Sequence, residues 1–281
     1  MAILENDKIK IEVEKKGAQI ISLYNKETSI EHMWDGNEKY WSGISPILFP
    51  IIGNTWSKEY FIDDTVYKMN NHGLVRYTEF NLESISDDCL IYSFESNEET
   101  LLRYPFKFKL TVEYRLKGSK VNVLYKIENK SERDMPFSFG LHPAFNCPFE
   151  KEKKFEDYRL EFSNNETLKG LCGPFNLANE KVIELNYPIF EENETLCFEN
   201  ASSSTVQLTD GVHGVKVDVV GYRWLAFWTP TPNKYAKFIC IEPWHGHGDF
   251  SESNKSFSER EGTINLSPNK SFISSLGIEI Y

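Results

Sequence analysis

The chain has 281 residues, 40% hydrophobic and 14% aromatic, with a formal net charge of −11 and a pI near 5.2. That length can bury the core of one large all-β domain or of two ordinary domains. The acidic balance argues against the basic footprint that nucleic acid or an anionic membrane requires, so neither is expected as a partner.

In chain order, the opening MAILENDKIKIEVEKK lacks the apolar run of a signal peptide. Within it, Lys8–Glu14 alternates apolar and polar residues as a half-buried strand does, and so do Val121–Asn129, Val215–Val220 and Phe238–Glu242. The clusters NKETS, KGSK, NKSERD and TPTPNK predict turns between strands. The segment KEKKFEDYRLEF fits a charged turn feeding a strand as well as a helix, and no amphipathic helical pattern runs longer than about two turns. No stretch approaches the roughly 18 apolar residues of a membrane span. Cys89, Cys147, Cys172, Cys197 and Cys240 are odd in number and scattered, without a CxxC, which predicts reduced structural thiols in a cytoplasmic protein. With no repeat, linker or boundary, residues 1–281 are expected to form one domain, an all-β, large antiparallel β-sandwich.

Six histidines are present, His32, His72, His142, His213, His245 and His247. The HGH at 245–247, followed by Asp249, lacks a third ligand at a metal-site spacing, so no metal is expected. GxSxG, GxGxxG and GxxxxGK[ST] are all missing, which leaves proton transfer by histidine and carboxylate as the chemistry on offer and no cofactor.

In FSFGLHP, Phe137, Phe139 and Leu141 would face a core, whereas Ser138, Gly140 and His142 share the other face, with small residues leaving room beside the imidazole. Glu242 closes the apolar run FICIE just before Pro243 and Trp244, where partial desolvation would raise its pKa toward that of a useful base. His72 follows Asn70 and Asn71 in a turn and precedes Arg76, a planar donor suited to hydroxyl or anionic oxygen. Taken singly, a His or Glu at a strand end is usually a solvated or locally hydrogen-bonded residue, and Trp244 reads equally as core or rim.

Five segments in order, GAQIISLYN, MWDGNEKYWSGISPILFPIIGN, HGLVR, FGLHPAFNCP and CIEPWHGHGD, give the chain more character. With these it resembles the aldose 1-epimerase (galactose mutarotase) family, and within it the bacterial branch found with lactose-utilisation genes. The resemblance implies a sugar cleft on a concave sheet, with His142 as catalytic acid, Glu242 as catalytic base, and His72 and Arg76 holding the ring. It also carries Asn54, Trp244 and Asp249 along as sugar contacts, with Trp244, Phe145 or Tyr77 as an apolar face for the ring. Two departures stand out: Asn54 replaces the Arg that many relatives carry after FPxxG, and LSPNK, ending in Lys270, replaces a late L-x-P-G-E turn.

The function expected is cofactor-independent interconversion of the α and β anomers of a free aldohexose of the galactose or glucose type. The alternatives are a hexose-6-phosphate mutarotase, which would need several cations at the cleft mouth, and a catalytically weak sugar-binding protein of the same fold. The partner expected is a small sugar. Oligomeric state is left open, a homodimer being one option.

Overall fold

The computed structural model describes residues 1–231, 235–253 and 255–281; three residues of the TPTPNK turn, 232–234, lie outside the described residues. Two large antiparallel sheets dominate. The nine-stranded sheet runs, in spatial order, through Asn176–Glu184, Arg159–Lys169, Thr205–Thr209, Gly214–Asp218, Ser271–Ile280, Lys120–Asn129, Phe108–Lys117, Cys89–Glu95 and Asn81–Ile85. The six-stranded sheet runs through Thr195–Glu199, Trp224–Trp228, Phe238–His245, Phe139–Leu141 and Ile47–Leu48, with Ala144–Asn146 also paired to Phe238–His245. A four-stranded sheet built from residues 2–31 and a hairpin over Glu59–Ile62 and Thr65–Lys68 flank them.

The alternation of Val121–Asn129 explains its place. Val121, Val123, Tyr125 and Ile127 are buried in the main core, while Asn122 and Leu124 are exposed. The main core continues across to the six-stranded sheet through Leu196, Phe198, Leu225, Phe227, Ile239 and Ile241. These two layers and their shared core are the expected β-sandwich. The helical content is small. Glu98–Arg103 is one short helix, started by an Asn97 side chain that accepts from the Thr100 amide; Tyr187–Asn193 is another. The KEKKFEDYRLEF segment becomes a short 3₁₀ turn, Phe155–Asp157, feeding the Arg159–Lys169 strand. All five cysteines are free thiols.

The outer face of the six-stranded sheet carries the alternate residues. Register pairs Thr195 with Trp228 and Trp228 with Cys240; Cys197 with Ala226 and Ala226 with Glu242; Glu199 with Trp224 and Trp224 with Trp244. Paired residues of a sheet point to the same side. Three cross-strand rows therefore line that face, and the middle one, Cys197–Ala226–Glu242, is kept low by an alanine.

Candidate active site

Each side chain of the site reaches this outer face by a local device. Phe139 and Leu141 turn into the core, which sends Gly140 outward, with His142 just past the strand end. Gly140 has to be glycine: a Cβ would sit 2.6 Å from the Trp244 ring and 2.9 Å from Ile52. The His142 amide is tied to the Pro46 carbonyl at 3.1 Å, and the Ile241 amide to the Pro143 carbonyl at 3.2 Å.

His72 is delivered by a turn in which it adopts a left-handed backbone, φ 64°, followed by Gly73 at φ 81°. The close approach of Gly73 to Phe49 leaves no space for a side chain. The His72 amide donates to Gly53 O at 2.8 Å, and the Gly53 amide donates to His72 Nδ1 at 3.0 Å. With Nδ1 accepting, the ring's proton sits on Nε2, which is thereby a donor.

These elements bound a cleft of about 350 Å³ lined by Trp41, Asn71, His72, Arg76, His142, Thr195, Trp228, Glu242 and Trp244. His142 Nε2 stands 3.3 Å from Glu242 Oε2. Both residues are almost wholly buried, at 5% and 2% exposed. The Trp41 indole stacks on the His142 ring, Trp228 meets it edge-on at 5.6 Å, and His72 meets it edge-on at 5.3 Å.

Burial dominates the electrostatics. It pushes Glu242 well above the usual carboxylate range, against smaller downward pulls from the Trp244 indole N–H and from Arg76. The indole is oriented toward the carboxylate without closing a hydrogen bond of standard geometry. Burial likewise holds His142 well below 6.5, helped by His72 and Arg76, and brings His72 down to about 3. Arg76 makes no hydrogen bond or ion pair among the described residues; its guanidinium lies 5.0 Å from the Tyr77 ring. Among the described residues His142 Nδ1 and Glu242 Oε2 are buried without a hydrogen-bond partner. A buried carboxyl whose pKa is raised, a buried imidazole whose pKa is lowered in contact with it, and nearby donors can relay protons to and from a polyhydroxylated guest.

The structure thus brings together His72, Arg76, His142, Glu242 and Trp244, and leaves two sequence-derived contacts outside. Asn54 is exposed and its carbonyl accepts from the Asp249 amide at 3.0 Å. Asp249 accepts from the Trp56 amide at 2.9 Å and pairs with Arg260. Neither lines the cleft; the pair fastens a neighbouring loop. Phe145 is wholly buried core, and Tyr77 is 53% exposed outside the cleft, so the aromatic faces belong to Trp41, Trp228 and Trp244.

The histidines of HGH diverge. His245 bonds Ser274 at 2.9 Å, whereas His247 stacks on Phe250. A different trio, His142, Cys240 and Glu242, brings its potential ligand atoms within 4.8 Å of one another.

Thr195 and Trp228 were not marked by any motif, and Trp41 and Asn71, though they lie within or beside the quoted segments, were not singled out as site residues. The available signal was the large–small–large row of WLAFW, Trp224, Ala226 and Trp228 on one face.

A two-layer antiparallel sandwich with this cleft defines the galactose mutarotase-like fold. It superposes with TM-score 0.93 on a galactose mutarotase related enzyme from Lactobacillus acidophilus, at 28% identity over 100% of this chain and 97% of that one. A galactose mutarotase-like protein from Lactobacillus casei superposes at 0.92, with 27% identity and full coverage of both chains. In sequence, the chromosomal LacX protein of Lactococcus lactis subsp. lactis is 34% identical over 263 residues, covering 86% of this chain and 87% of that protein. The aldose 1-epimerase family model matches residues 2–266, and the chain belongs to that family.

Proposed function

We propose that the protein is a cofactor-independent mutarotase that interconverts the α and β anomers of a free aldohexose, with His142 and Glu242 as its acid–base pair. The observation that carries this is the 3.3 Å contact between His142 Nε2 and Glu242 Oε2 at the base of a tryptophan-walled cleft. Anomer exchange needs one group to take the proton from the C1 hydroxyl while another protonates the ring oxygen. The aldehyde then turns about C1–C2 and recloses on its other face.

Burial shifts Glu242 toward the neutral acid and His142 toward the neutral base. Moving one proton across their contact yields a carboxylate and an imidazolium, the base and the acid the reaction requires, without changing the net charge of the site. Sugar hydroxyls donating to the carboxylate favour that charged form. His72 Nε2–H and the Arg76 guanidinium supply ring-hydroxyl donors, and Trp41, Trp228 and Trp244 offer faces for the C–H side of a pyranose.

Arg76 is the one lysine or arginine lining the cleft among the described residues, which favours an unphosphorylated hexose. Cytoplasmic location belongs to the same proposal, supported by five free thiols. Among the described residues no helix is long and apolar enough to cross a membrane.

The test is polarimetric relaxation of freshly dissolved α-galactose and α-glucose, with wild-type protein, His142→Asn and Glu242→Gln. Acceleration by the wild type, with loss by orders of magnitude in both variants and retained sugar binding, is the expected result. No acceleration of either sugar by the wild type would overturn the proposal.

A further inference from the structure

Cys172, the exposed cysteine of the five, lies against the buried Cys197. Cys197 stands on Thr195–Glu199, the strand that ends the six-stranded sheet on one side. The segment carrying Cys172 covers that edge, and the Leu171 amide donates to the Cys197 carbonyl at 2.9 Å. The backbone beside Cys172 is thereby held at about the 5 Å spacing of neighbouring strands, a span that a disulfide bridges. The two thiols are within hydrogen-bonding reach of each other, and neither lines the His142–Glu242 cleft.

The loop that presents Cys172 is fixed on both sides of it. Before it, the Gly170 amide donates to Asn176 Oδ1 at 3.0 Å; after it, the Phe175 amide donates to Asn193 Oδ1 at 3.0 Å. Asn193 is buried and is itself anchored, donating to the Ile189 carbonyl at 2.7 Å. It crowds Gly173 so closely that a Cβ there would lie 2.3 Å from Asn193 Oδ1. The sulfurs are therefore brought together by the folded chain, with little ordering left to do when a bond forms between them.

Their environments differ in the way a redox pair requires. The Cys197 thiol donates to Cys172, which lowers the Cys172 pKa against opposing contributions from burial and from Glu194. The same hydrogen bond, together with burial, raises that of Cys197. An exposed sulfur with thiolate character beside a buried, protonated one divides the roles of attacking and resolving thiol. Cys89, Cys147 and Cys240 are buried, and burial raises each of those thiols, which leaves them outside this chemistry.

We infer that Cys172 and Cys197 are a modification site that a hydroperoxide converts to a reversible disulfide. The Cys172 thiolate attacks one oxygen of the hydroperoxide, so that an S–O bond forms as the O–O bond breaks. The departing oxyanion takes up a proton and leaves as alcohol or water, and Cys172 becomes a sulfenic acid. The Cys197 sulfur then attacks the Cys172 sulfur, its proton goes to the departing hydroxide, and water leaves as the S–S bond closes. The two thiols have together given two electrons and two protons to one hydroperoxide. A thiol reductant reverses the step by exchange, as befits a transient disulfide in a cytoplasmic protein.

The experiment treats the native protein with equimolar hydrogen peroxide, counts free thiols after denaturation and maps the peptides, before and after dithiothreitol. For wild type the count should fall by two from five, with the peptides joined through Cys172 and Cys197, and dithiothreitol should restore it. Cys172→Ser, a change on an exposed loop, should lose no thiol. Cys197→Ala should stop at a Cys172 sulfenic acid that dimedone traps; if that variant does not fold, wild type and Cys172→Ser decide the matter between them. An unchanged thiol count in wild type, a Cys172 bridge between two chains, sulfinic acid at Cys172 in place of the bridge, or equal thiol loss in Cys172→Ser would overturn the inference.

Discussion

The indole of Trp41 lies against the imidazole of His142, ring centroids 4.7 Å apart and planes inclined by 25°. This stack is a large part of what keeps water from the ring, and loss of hydration is the first cause of its depressed pKa. Trp41→Ala is therefore expected to let the His142 pKa rise toward 6.5 and, because it also removes a wall of the cleft, to raise KM about tenfold, with Trp41→Phe in between. Proton NMR titration of the His142 ring and polarimetry on the same samples would check both parts.

The pH profile should be unusually flat. Burial disfavours both the doubly protonated pair, which is cationic, and the fully deprotonated pair, which is anionic. The form holding one transferable proton is widened in both directions, since Glu242 is raised and His142 lowered. We expect kcat/KM to hold level through the ordinary histidine value near 6.5. A rate limb centred on that value would contradict the shifts.

His72 acts through Nε2, because Nδ1 is spent on the Gly53 amide. His72→Asn can keep that amide contact through its own oxygen and tolerates the left-handed backbone, but it lacks the far donor. KM should rise about tenfold with a smaller change in kcat, the cost of one hydrogen bond to a guest. A fall in kcat at constant KM would place His72 in the chemistry.

Gly140→Ala tests the fit of Trp244. The new methyl would press on the Trp244 ring and on Ile52, both within a small buried cluster. Overpacking of this kind costs about 1–3 kcal/mol. The expected result is a lower denaturation midpoint together with altered tryptophan fluorescence and weaker sugar binding.

Much of this was legible in the sequence. Period-two alternation identified the strands buried on one face, such as Val121–Asn129, and the small residues before His142 identified the face on which it stands. The site's walls were harder to read. Trp228 lies on Trp224–Trp228, a strand covered on both faces, so every position is apolar or aromatic and the alternation that would mark a cleft is masked. Trp41 enters from a loop whose path depends on Gly43, and Thr195 from the opposite edge of the sheet. Asn54 and Asp249 went the other way. They stand inside motifs that also carry site residues, but their contacts are to each other, to Trp56 and to Arg260. Proximity in sequence to a functional residue is not proximity in space where a chain turns.

The acid and base also differ from their helpers in how they are mounted. Glu242 sits mid-strand with neighbours paired on both sides, and His142 is held at the end of a strand of the same sheet. His72 hangs on a turn and Trp41 on a loop. Local opening draws on turns and loops before a central strand lets go. On warming, the cleft should first lose its grip and only later its reactivity: affinity would fade over a range of temperatures, whereas the His142–Glu242 pairing would vanish in one step with the sheet itself.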